Sequence, residues 1–337
     1  MTPPRLLVGG ALLLSGVAVL AIGFGSVAIA PGDVISILAR QLFGAGEAAQ
    51  GAGATSIVME LRLPRILAAI LVGAALAVAG GAFQSLLRNP LADPYVLGTS
   101  SGAALGAAIA ILLPIGGVAW ELGGVQLAAF IGALASVALV WRVAGIGSGE
   151  ERIASVLLVG YAVASLLAAA LSLVMLASGA NLRAIFSFLL GGLDGATWPR
   201  LAAAALPLIA ATTLLALRGR ALAGFLLGDE AAQHLGVDVR RERRIAVALA
   251  SLATAAAVAL AGLIGFVGLV VPHLVRLAVG PDPRAVLPLS AIGGALLLLL
   301  ADTIARSIGV PVGVITALIG APFLLWLLHR ARTGYAL

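Results

Sequence analysis

The side chains that could carry acid–base or metal chemistry in this 337-residue chain are few: fourteen carboxylates and three histidines, with no cysteine. They form no catalytic pattern. The chain shows no nucleophile with a spaced base, no pair of carboxylates flanking a cleft motif, and no histidine pairing at helical or loop spacing that would hold a metal. Asp229 and Glu230 stand side by side. Adjacent carboxylates on a short exposed helix are ordinarily solvated or meet a partner. All twenty basic residues are arginine and none is lysine. A phosphate-binding loop of the G-x-x-x-x-G-K-[ST] type needs its lysine on the phosphates, so this chain cannot be a standard P-loop ATPase. Without cysteine, disulfides and thiolate metal sites are excluded. The chain reads as a non-enzyme; if ATP drives it, another subunit hydrolyses the ATP.

The polar residues that do gather lie in 218–244. Arg218 and Arg220 open this island, and Arg240, Arg241, Arg243 and Arg244 close it. Between them run Gly228, Asp229, Glu230, Ala231, Ala232, Gln233, His234, Leu235 and Gly236. The spacing predicts one short helix with Asp229 as N-cap and Gly236 as the C′ residue. So short a helix is marginal in water by itself. Set in a basic loop between membrane spans, it is a candidate docking element for a soluble partner.

The elements that must hold this island are membrane helices. The chain is 62% hydrophobic and 10% charged, where a soluble domain carries roughly 25% charged residues. Several apolar runs reach the roughly 20 residues that cross a bilayer as a helix. They lack the period-two alternation of a barrel strand. Ten spans are predicted, at 6–29, 63–87, 95–115, 123–142, 153–177, 199–217, 245–264, 267–280, 285–305 and 312–330. The run at 184–192 is too short to cross and is expected to be re-entrant or interfacial. Residues 1–30 resemble a secretory signal, but the apolar run is long and is read as the first span. Val34 to Phe43 reads as an amphipathic segment. With the N-terminus cytoplasmic, fourteen arginines fall inside and six outside: Arg40, Arg62, Arg65, Arg183, Arg200 and Arg306. The positive-inside rule favours that orientation, which makes the island cytoplasmic. The net charge of +6 is then a topology signal and not a nucleic-acid footprint.

Within the spans, Gln84 and Asn89 are expected to make interhelical hydrogen bonds or to end a helix. His273, next to Pro272, is expected to bond a carbonyl that the proline frees. A weak echo links Ala77–Gly80, leading to Phe83 and Asn89-Pro90, with Ala259–Gly262, leading to Phe266 and Pro272-His273; transporter folds are often built from such repeats.

The motifs in chain order are Arg62-Leu63-Pro64-Arg65, then Gln84 to Arg88-Asn89-Pro90-Leu91-Ala92-Asp93-Pro94, with Leu97-Gly98 and Gly102-Ala103 opening the next span. Gly265-Phe266-Val267-Gly268 runs on to Pro272-His273 and Arg276. Ala301-Asp302, Ala305-Arg306, Pro311-Val312-Gly313 and Thr316 to Pro322 close the set. In this set, which spans nearly the whole chain after the first helix, the protein resembles the permease subunits of type II ABC importers (FecCD type), which take up iron-siderophores, haem and vitamin B12. It departs from the pattern at Leu263, where a proline is common, and at Gly309, where a glutamate is. Where an aromatic pair or tryptophan is usual, Ser187-Phe188 precede Gly191-Gly192.

The resemblance implies an all-α polytopic membrane protein of about ten helices, forming a single transmembrane permease domain over 1–337 with a coupling loop at about 218–244. It implies a homodimer with the pathway at its interface, placed with surrounding lipid in the inner membrane of a bacterium. Two ATP-binding cassette subunits, which bind the ATP and Mg, would drive it, and a periplasmic or lipoprotein binding protein would deliver the ligand. Gly228–Gly236 match the family's coupling element. Arg62, Arg65 and Arg306 match outward arginines that pair with glutamates of the binding protein. Read from spacing alone, the first two equally suit snorkelling to headgroups. Arg306, four residues after Asp302, suits a local ion pair. An ion-coupled transporter is the rival, and would need mid-span carboxylates, which are nearly absent.

Overall fold

The computed structural model describes residues 3–25, 27–44, 52–113, 123–144 and 150–332. Among them every regular element is helical. We number the helices α1 (Pro3–Gly23), α2 (Pro31–Phe43), α3 (Leu63–Leu86), α4 (Thr99–Leu112), α5 (Gly124–Ala144), α6 (Glu150–Ala177) and α7 (Leu182–Leu189). There follow α8 (Trp198–Leu217), α9 (Gly219–Leu226), α10 (Asp229–His234), α11 (Val239–Ala261), α12 (Val267–Val279), α13 (Pro283–Ile308) and α14 (Val312–Arg332). A short helix, Ala52–Ser56, and a π-helical turn, Ile57–Arg62, lead into α3.

Ten apolar helices appear in the order of the ten expected spans. Eight of them are long and apolar enough to cross a membrane; Thr99–Leu112 and Val267–Val279 are shorter. The amphipathic segment is α2, with Pro31 in its first turn and Gly44 at φ 67° ending it. The first span stops at Gly23, earlier than expected.

α3 is the axis of the molecule. Of its most apolar stretch 78% is buried, and α8, α11, α12 and α13 pack around it. Small residues make this possible. A Cβ on Gly73 would overlap the Gly294 carbonyl of α13, and one on Gly80 would overlap the Gly268 carbonyl of α12. α4 and α5 meet in the same way at Gly102 and Gly132. Where backbones touch so closely, dispersion and tight packing hold helices together that lipid would otherwise solvate equally well.

The two short helices begin inside the bundle, each after an irregular stretch. Residues 87–98 lead into α4 and residues 262–266 into α12. Buried irregular backbone of this kind is tolerated where the protein itself satisfies it. Here Tyr95 does so: its hydroxyl donates to Ile264 O at 3.0 Å and accepts from Ile264 N–H at 3.3 Å, tying the two stretches together. The sequence echo does not carry over to local conformation. Ala77–Gly80 is helix interior, whereas Ala259–Gly262 is the end of α11, with Gly262 at φ 69°.

The apolar run expected at 184–192 is α7 plus the turn after it. Gly192 N–H donates to Ala261 O at 2.8 Å, and a Cβ on Gly191 would overlap Leu263 O. This short helix is therefore moored by its own C-terminus to the end of α11.

Candidate functional site

Two polar constellations lie at opposite ends of α3. The helix is 24 residues long, or about 36 Å at 1.5 Å per residue. Arg65 stands in its first turn; Arg88, just past its end, approaches Gly228 of the island.

At the island end, two short helices stand where one was expected. α9 is additional; its signal is Leu222 and Phe225, three apart and fully buried. α10 follows directly. Asp229 is not its N-cap. Gly228 holds that position, at φ 99° and ψ 162°, and Asp229 is the first helical residue. The Asp229 carboxylate is drawn away to Arg243, at 2.6 Å, whose guanidinium also lies 5.4 Å from the Phe225 ring centre. Near the helix N-terminus that carboxylate still complements the positive end of the dipole. The other end is as expected. Gly236, at φ 80°, is C′; its N–H donates to Gln233 O at 2.9 Å, and Val237 N–H donates to Ala232 O at 3.0 Å. This pair of hydrogen bonds is a Schellman motif. It seats buried Ala232 and half-buried Val237 against Gly224 of α9. α11 starts on its own cap, Asp238 accepting from Arg241 N–H at 3.0 Å, and Arg218 grips Glu242 at 2.6 and 2.9 Å.

The six residues of α10 are thus fastened from behind, while Glu230, Gln233, His234, Leu235 and Gly236 are exposed. Leu227 and Leu235, each about two-thirds exposed, flank the helix. A cleft of about 580 Å³ beside it is lined by Arg220, Leu227, Leu235, Arg241 and Arg284 among others. The face combines a rigid short helix, apolar edges and arginines, which is what a soluble docking surface needs.

At the opposite end the structure brings Arg62, Arg65 and Arg306 together. Arg62, 6% exposed, donates to Ile22 O at 2.6 Å and Gly23 O at 3.1 Å, and also to Val27 O. It caps the last carbonyls of α1. Arg65 reaches across to α13. Its Nε lies 3.0 Å from both oxygens of Asp302 and its Nη2 lies 2.8 Å from Oδ1, while Nη1 pairs with Asp194. Arg306 Nε is 3.2 Å from Asp302 Oδ2, the expected local pair, and Nη2 donates to Ala21 O at 3.1 Å. Asp302 has no exposed surface. It serves two arginines, so it is a structural counter-ion. The arginines line a cleft of about 740 Å³ with Glu60, Asp194 and Pro311. Next to this lining in sequence, Trp198 Nε1 donates to Met59 O at 2.8 Å.

Sequence reasoning missed Asp194 and the Arg65–Asp302 bridge. Asp302 in an apolar helix signalled that a buried charge needed partners, but spacing pointed only to the arginine four residues on.

The other polar residues divide. Gln84 Nε2 donates to carbonyls of Ala92 (3.1 Å), Leu269 (3.2 Å) and Gly268 (3.4 Å), and its Oε1 accepts from Arg276. Asn89 lies just past the helix end, its N–H donating to Gln84 O at 3.1 Å and its Oδ1 accepting from Leu91 N–H at 2.9 Å. The expectation for His273 fails. Neither ring nitrogen has a hydrogen-bond partner, and the ring packs edge-on against Phe323, centroids 6.0 Å apart; the carbonyl that Pro272 frees, Gly268 O, accepts instead from Gln84 Nε2 at 3.4 Å. Asp93, in the turn between α3 and α4, accepts from Tyr95 N–H at 2.8 Å, yet loss of hydration dominates and pushes its carboxyl up to about 6. Among the described residues no three His, Asp or Glu side chains group as metal ligands.

A buried glycine-packed axis thus joins the island at one end to the arginine cluster at the other. A cobalamin import system permease protein of Halobacterium salinarum is 46% identical over 301 residues, covering 89% of this chain and 79% of that protein. A hemin transport system permease protein of Yersinia pestis is 39% identical over 335 residues, covering 98% and 97%. A solved structure described as an inward-facing conformation of a metal-chelate type ABC transporter matches with a TM-score of 0.83 at 29% identity, over 97% of this chain and 99% of that one. The sequence profile of the FecCD transport family matches residues 12–330, and the chain belongs to that family.

Proposed function

We propose that this chain is the membrane-spanning permease subunit of an ATP-driven importer for a bulky metal chelate, haem or a ferric siderophore, in the inner membrane of a bacterium. Two copies would frame the pathway, two cassette ATPases would bind ATP and Mg on the cytoplasmic side, and an outer binding protein would deliver the ligand. The observation that carries the reading is α10: a short helix fastened from behind, with its solvent face free. Gly228–Gly236 would sit in the ATPase and pass its closure to the bundle through Arg243 and Gly224. Arg62, Arg65 and Arg306 would serve the binding protein at the other end.

A second reading, cobalamin as cargo, is favoured by the 46% identity to the cobalamin import permease. Reconstitution into proteoliposomes with the ATPase and binding protein, followed by uptake of haem, a ferric siderophore and cobalamin in parallel, separates these cargoes. ATP-dependent uptake of one of them is expected. Uptake driven by a proton or sodium gradient without the ATPase would overturn the importer reading in favour of an ion-coupled transporter. A scan of 228–236 with bulky residues is expected to weaken ATPase assembly or uncouple hydrolysis from uptake; unchanged assembly and uptake throughout would remove the role given to α10.

A further inference from the structure

The cluster at the outer end poses a problem of supply. A carboxylate arriving from a partner needs free guanidinium donors. Arg62 spends its own on the carbonyls of Ile22, Gly23 and Val27. Arg306 is turned inward to Asp302 and Ala21 O. Arg65 gives Nε and Nη2 to Asp302. Arg65 Nη1, on the cleft side of this cluster, is taken by Asp194.

The two carboxylates on Arg65 differ sharply. The Asp302 side chain is 0% exposed and balances two arginines, so it cannot leave without stranding buried charge. The Asp194 side chain is 80% exposed while that of Arg65 is only 15% exposed. An ion pair with one partner in water contributes little net stability, so Asp194 is readily released. Exchange for another carboxylate leaves the charge of the cluster unchanged.

From this geometry we infer that Asp194 is an internal stand-in for the partner's carboxylate: the delivery protein docks on Arg65 by displacing it. The inference rests on the docking role proposed above for the arginines and deepens it by naming the atom at which docking acts and what it must remove. It also gives docking a consequence. Asp194 lies in the short segment joining α7 to α8, two residues after Gly192, whose N–H holds the end of α11. Freed from Arg65, this segment keeps the Gly192 bond to α11 and loses its ionic link to α3.

The test uses the full importer in nanodiscs and the binding protein that supports uptake by this chain, with affinity measured over a salt series. Asp194→Asn removes the competitor and is expected to tighten binding about two- to fivefold, the range for a pair of this exposure. Asp194→Glu keeps the competitor and is expected to bind as wild type. Arg65→Gln is expected to weaken binding, with an unchanged elution profile as the check on folding. If Asp194→Asn binds equally or more weakly while Arg65→Gln weakens binding, exchange is wrong and docking on the arginines stands. If Arg65→Gln, folded, leaves binding untouched, the docking role falls and the exchange falls with it.

Discussion

Asp302 carries its charge where water does not reach, and two arginines from different helices share it. Replacing it with alanine would leave both guanidinium groups without their counter-ion, a change expected to cost about 3–5 kcal/mol. The check is a markedly lower melting temperature of the detergent-solubilised chain, with Asp194→Ala near wild type. Asp93 makes a prediction about pH. Its carboxyl sits at about 6 in the fold, because desolvation outweighs the Tyr95 N–H bond, against roughly 3.9 in an unfolded chain. The native state therefore holds the proton more tightly, and stability falls as pH rises from about 4 to about 6 and stays lower above. Asp93→Asn removes that loss. It is expected to raise the melting temperature at pH 8 and to change little at pH 4; an equal shift at both would refute the account. The spacing showed the pair of Asp302 with Arg306, but neither its bond to Arg65 nor the burial of Asp93. Residue type marked Asp302 as a charge in need of company, but its principal partner is 237 positions away, and no local period encodes such a distance.

At the scale of the element, most of the chain could be read. Long apolar runs fixed the spans, because a helix in lipid must satisfy its backbone internally whatever its neighbours do. The irregular pieces were harder. α9 hides in a charged loop because, of its four buried positions, two are glycines and just Leu222 and Phe225 carry an apolar side chain to betray it. The N-terminus of α10 was misplaced by one residue because Asp229 looked like a capping side chain, and the pull of Arg243 is a tertiary fact. Its C-terminus was legible because a glycine after a short polar helix has a local reason to be there. That reason is testable: Gly236→Ala puts a Cβ at φ 80° and is expected to cost about 1–2 kcal/mol locally. Faster amide exchange over 231–237, with the melting temperature of the bundle unchanged, is the expected result.

For the whole molecule the decisive contacts are those of glycine with backbone. Gly80→Val would force α3 away from α12 at Gly268, and loss of monodisperse protein in detergent is expected. Gly16→Val is the control, since nothing lies within 4 Å of that position, and it is expected to purify normally. The abundance of glycine was visible in the sequence; which glycines face which was not, since forty-three of them offer many equivalent pairings.

The central place of α3 has a further consequence, for how the protein is made. This helix is the second of the ten to leave the ribosome, yet the segments that finally enclose it, around Gly268 and Gly294, come roughly 200 residues later; at 5–20 residues per second that is a wait of about 10–40 seconds. During it, α3 stands in lipid with its glycine faces open. It can do so because its mean hydropathy of 2.4 equals that of α1, whose most apolar stretch is only 17% buried. The innermost helix is written as though it were going to remain outside, and biogenesis requires that it first be able to.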